Sequence, residues 1–107
     1  MTKGEEQIAA ARTTTANLAE ALDAADPTLA GRFAALTQVL DSLSSHFVVK
    51  SALGVPFTAA VRRAAEAAQA AFDQKGAAGA GATVDALESA VTKLQGKASG
   101  GGGVVIT

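Results

Sequence analysis

The stretch closest to a chemical motif runs from Gly76 to Thr83, Gly-Ala-Ala-Gly-Ala-Gly-Ala-Thr, whose glycine spacing matches a phosphate-binding loop that opens a helix. In such a loop backbone amides cradle the phosphates and a lysine side chain reaches them. Here Ala82 occupies the lysine position and a helical pattern precedes the glycines, so the stretch reads as a plain linker. His46 is the single imidazole and Cys is absent, so a His/Cys metal cluster has no ligands to draw on. A lone His near the end of an apolar stripe reads as a solvated or capping side chain rather than a general base. Ser44 and Ser45 stand beside it, but neither a third orienting residue nor an oxyanion element accompanies them. The carboxylates Glu5, Glu6, Glu20, Asp23, Asp41, Asp73, Asp85 and Glu88 fall mostly off the apolar seams, as solvated helix faces do. Arg62-Arg63 with Lys75 is the only basic concentration. Glu66 follows Arg62 by four residues and accounts for it as a local helix pair, and no aromatic residue stands ready to stack a base. The expectation is therefore no enzyme, no cofactor, no metal site and no nucleic-acid contact.

The elements that carry these residues are built from little. Hydrophobic residues make up 49% of the 107, yet twenty-seven of them are Ala and only twenty-five are large. The chain has room for one domain. Nine basic against ten acidic residues leave a net charge of −1, too small a field to recruit a polyanion or an anionic membrane surface.

Four segments repeat apolar residues at alternating spacings of three and four, the mark of helices with one buried seam. The first reads Ile8, Ala11, Thr15, Leu18, Leu22, Ala25. The second, Leu29, Phe33, Leu36, Leu40, Leu43, Phe47, is the most apolar and predicts the centre of the core. The third reads Phe57, Val61, Ala64, Ala68, then Ala71 with Phe72, and the fourth Val84, Leu87, Val91, Leu94. Helices are expected over about 3–25, 27–53, 56–75 and 83–95. Thr2 with Glu5 has capping-box spacing, and Asp26-Pro27 ends one helix and caps the next across a very short link, which makes the first two helices antiparallel neighbours. Gly54 with Pro56 separates the second and third segments, while Ser44-Ser45 and the β-branched pair Val48-Val49 offer an earlier stop. Gly76 terminates the third after Lys75, residues 76–82 form a flexible connector, and Thr83 caps the fourth.

The fold class predicted from this pattern is all-α, an antiparallel four-helix bundle or a pair of helical hairpins over residues 1–97. Residues 98–107 form an extended Gly-rich arm, in which four glycines precede the β-forming run Val104, Val105, Ile106 and Thr107. Such a segment can add a strand to an exposed sheet edge of another chain, so these four residues are the expected partner-binding site. The thin, Ala-rich core predicts dependence on other subunits, as a homo-oligomer within a larger assembly.

A chain of about this length, with a small helical bundle and an extended C-terminal arm, resembles the head-to-tail adaptors and other small neck or capsid-associated proteins of tailed bacteriophages. The resemblance is one of layout across the whole chain. It implies a non-enzymatic virion component that docks through its arm, in a virion or a cytoplasmic assembly. Two alternatives share the composition. A leaderless secreted hairpin of the type VII kind fits the length and Ala content, although the Trp and Tyr of that family's motifs are missing here. A phasin-like coat on storage granules fits the amphipathic Ala-rich helices, with Phe57 and Phe72 on the third segment as the surface-seeking residues. Glu5 and Glu6 stand where a secretory leader needs a basic patch and an apolar run, and no window of about 18 residues is apolar enough to span a bilayer, so neither a signal peptide nor a transmembrane segment is expected.

Overall fold

A computed structural model describes residues 1–103, with side-chain surroundings described through Ser99. Regular structure among these residues is helical: α1 (Lys3–Leu22), α2 (Pro27–Leu43), the single turn α3 (Phe47–Lys50), a 3-10 turn (Ala52–Gly54), α4 (Val55–Lys75) and α5 (Ala77–Gly103). No helix is long and apolar enough to cross a membrane among the described residues.

The starts of α1 and α2 follow from their caps. The Thr2 hydroxyl accepts from the Glu5 amide at 3.2 Å, and the Glu5 carboxylate accepts from the Thr2 amide at 2.8 Å, closing a capping box. Asp26 Oδ1 accepts from the Leu29 amide at 3.2 Å, with Pro27 at the first helical position. Between them the link is short: the Asp26 amide still bonds the Leu22 carbonyl at 2.8 Å, and the non-helical backbone of Asp26 then turns the chain back. α1 ends at Leu22, short of the expected 25, where the last turn tightens as the Asp23 amide bonds the Glu20 carbonyl at 3.4 Å.

α1 and α2 form one hairpin and α4 and α5 a second, and each pair packs antiparallel. In the first, Arg12 meets Asp41 at 3.0 Å and the Thr15 and Thr37 hydroxyls lie 2.7 Å apart. One of those hydroxyl protons is shared between the two oxygens, and the other serves a backbone carbonyl, Arg12 or Phe33. Across the hairpins the directions agree instead of opposing. Thr58, early in α4, meets Gln7, early in α1, while Leu29 lies near Gly81 and Arg32 meets Asp85 and Glu88, so the numbers rise together along α2 and α5. Contacts of α1 with α4 and of α2 with α5 close the arrangement. Neighbours across the hairpins are thus parallel, and residues 44–54 cross the end of the molecule diagonally from α2 to α4.

Three expectations about the elements are corrected. The second helix does not run to 53. It stops at Leu43, where the Ser44 amide and hydroxyl both turn onto the Asp41 carbonyl, and Val48 and Val49 become buried members of the crossover. The stretch 76–82 is not a flexible connector: Gly76 reverses the chain with φ of 64°, and α5 begins at Ala77. Glycine's low helix propensity is overridden here by packing, since Gly79 lies so close to the Ala71 carbonyl of α4 that a Cβ would collide with it. Thr83 consequently caps nothing. Its hydroxyl lies inside α5, within reach of the Gly79 and Ala80 carbonyls.

The core follows the seams. Ile8, Leu18 and Leu22 of α1, Phe33 and Leu40 of α2, Val61 of α4, and Val84, Leu87, Val91 and Leu94 of α5 are fully buried, with Leu29 and Leu36 nearly so. Leu43 is half-buried against this cluster. On α4 the buried alanines are Ala68, as expected, and Ala65, while Ala64 is only partly buried. Phe47, expected to close the second seam, is 66% exposed, because the helix ends before it and the chain changes direction.

Candidate functional site

The residues with chemical potential are used locally. His46 Nδ1 accepts from the Val48 amide at 3.1 Å and so caps α3, with its ring 4.7 Å from that of Phe47. Ser44 donates to the Asp41 carbonyl at 2.7 Å, and Ser51 accepts from the Leu53 amide at 3.1 Å. Arg62 pairs with Glu66 at 3.2 Å along one face of α4. Arg32 of α2 bridges to α5, where Glu88 grips it with both carboxylate oxygens and Asp85 adds a contact at 2.6 Å. Those hydrogen bonds, Glu88 first and then Asp85, hold the guanidinium even more firmly protonated than usual. Among the described residues no group of His, Cys, Asp and Glu could hold a metal ion, and every buried side-chain polar atom has a hydrogen-bond partner.

What stands out is one end of the molecule. The start of α1, the diagonal crossover, the start of α4 and the late part of α5 all meet there. The crossover is fixed firmly: a Cβ at Gly4 would strike the Val49 carbonyl, and one at Gly54 would strike the Val48 carbonyl. Thr2 Oγ1 also reaches the Val49 carbonyl, at 3.5 Å. Backbone therefore lies on backbone at two points, and Val48 and Val49 are plugged into the core beneath. From this mount two large apolar side chains project outward, Phe47 at 66% exposure and Leu53 at 81%. Both stand on one short, anchored segment, where exposed apolar side chains are less ordinary than scattered single ones. Lys3, Lys50 and Lys97 are exposed at this same end, with Lys97 Nζ 5.8 Å above the Phe57 ring.

α5 runs through Gly103 toward this same end, past residue 98, where the extended arm was expected to begin. The expected partner-binding residues Val104, Val105, Ile106 and Thr107 lie outside the described residues. Phe57 and Phe72 of α4, weighed as surface-seeking residues, are half-buried against the core. The apolar end itself was missed from sequence because Phe47 continues the seven-residue spacing of the second seam. The usable signal was the Ser44-Ser45 break before it. Leu53 had no sequence signal at all.

No protein-family model, no curated protein and no solved structure matches the chain.

Proposed function

We propose that the protein is a non-enzymatic structural subunit of a multi-chain assembly, in keeping with the bacteriophage adaptor, neck or capsid-associated layout, and that it docks through Val104–Thr107. The observation that carries this reading is the anchored crossover with Phe47 and Leu53 exposed at the end to which α5 leads. A rigid mount lowers the ordering cost of association, so apolar side chains held this way contribute more to binding than the same residues on a loose loop. The β-forming composition of Val104–Thr107 suits main-chain pairing with a partner, supplemented by apolar contact.

Removal of Val104–Thr107, leaving Ala98 in place in the core, tests the arm. Co-assembly with the partner subunits is lost while the melting temperature of the free chain is kept. Unchanged incorporation of the truncated chain contradicts the reading.

A further inference from the structure

The opposite end of the molecule, where α1 turns into α2, carries a groove of about 380 Å³ between the two helices. Ala30, Gly31, Ala34 and Pro27 form its apolar floor and wall, and Glu20 and Asp23 stand on its rim. Gly31 is the telling residue. It lies inside α2 with an ordinary helical backbone, where glycine is a poor helix former, and a Cβ there would meet nothing within 4 Å. Neither a turn nor a close helix approach within the chain calls for glycine at this position. Its missing side chain leaves the groove open at this point.

The two ends are complementary. One projects Phe47 and Leu53 among the exposed Lys3, Lys50 and Lys97. Glu6 lies there too, while Glu5 is held in its capping box. The other offers an apolar groove rimmed by Glu20 and Asp23, with Asp26 and Asp73 nearby and Lys75 as the opposing charge. The chain as a whole is nearly neutral, so this is a separation of charge along a molecule 46 Å long rather than an excess.

We propose that the occupant of the groove is a second copy of this chain, which inserts the Phe47 and Leu53 side chains while Lys50 faces Glu20 and Asp23. Because the two surfaces differ and lie at opposite ends, the contact is heterologous and repeats from copy to copy, as a closed ring or an open filament. The inference rests on the assembly-subunit reading, but it uses neither Val104–Thr107 nor their partner.

Sedimentation of the full chain across a range of concentrations tests it with two variants. Gly31→Leu fills the groove from a position where the fold has space. Phe47→Ser with Leu53→Ser strips the projecting end at residues that are already exposed. Self-association of the parent chain weakens as salt is added, and each variant alone weakens it by at least about tenfold. Mixed one to one, the two variants form a heterodimer that grows no further, since each supplies the surface that the other lacks. Self-association that survives Gly31→Leu but not the double serine variant means that like ends meet, and it overturns the pairing while leaving the assembly reading intact. A parent chain that stays monomeric at every concentration overturns self-association altogether; incorporation of the tail-truncated chain then judges the arm separately.

Discussion

The Thr58 hydroxyl donates to the Gln7 side-chain oxygen at 2.6 Å, in a bond buried between α4 and α1. Both residues sit near the starts of their helices, so this single contact fixes the two hairpins with α1 and α4 parallel. It also obliges residues 44–54 to cross the end of the molecule. An apolar contact at this position would tolerate slippage by a turn; here a slip leaves the Gln7 oxygen without its donor, even though the Thr58 hydroxyl can fall back on the Val55 carbonyl at 3.2 Å.

Thr58→Val removes the donor but keeps the shape. Gln7 is then left without its partner, and chemical denaturation finds a loss of about 1–3 kcal/mol. Adding Gln7→Leu recovers part of that loss. A double variant no better than the single one contradicts the role assigned to the bond.

Phe33 and Phe47 share the spacing of one seam and have opposite fates. Phe33→Ala opens the core and costs about 3–5 kcal/mol, whereas Phe47→Ser changes the stability of the free chain by no more than about 0.5 kcal/mol. Equal losses at the two positions contradict the exposed placement of Phe47.

Two helical glycines of α5 respond oppositely to alanine. At Gly79 the new methyl meets the Ala71 carbonyl and pushes the second hairpin apart, lowering the melting temperature. At Gly96 nothing lies within 4 Å, and helix propensity alone raises stability by up to about 1 kcal/mol.

Acid weakens the start of α1. Hydrogen bonds from Thr2, backbone first and then side chain, hold the Glu5 carboxyl below its ordinary value of 4.5. A carboxyl with a depressed folded-state pKa stabilises fully above its unfolded value and loses that contribution as pH falls through the folded one. Glu5→Gln, which keeps the reach without the charge, flattens this part of the stability profile below about pH 4.5. A profile unchanged by the substitution contradicts the assignment.

Much of the fold was legible because caps and seams are local signals. Thr2 with Glu5, Asp26 with Pro27, and the seam from Leu87 through Val91 to Leu94 depend on neighbours a turn away, which sequence spacing reports directly. What was not legible depends on contacts between distant segments. Gly79 reads as a breaker until Ala71 is known to lie against it. Phe47 reads as core until the chain is seen to turn at Ser44. Gly31 reads as one more small residue until the space above it is found empty. The candidate site was missed for the same reason, since the crossover joins the start of α1 to the start of α4 and no spacing along the chain encodes that meeting.

The most direct test of the protein as an assembly subunit is its molar mass in solution, measured by sedimentation across concentration and paired with thermal melting at the same concentrations. A mass above that of one chain, rising with concentration together with the melting temperature, is the predicted result. A single species of one chain's mass, melting sharply at a temperature independent of concentration, would contradict it.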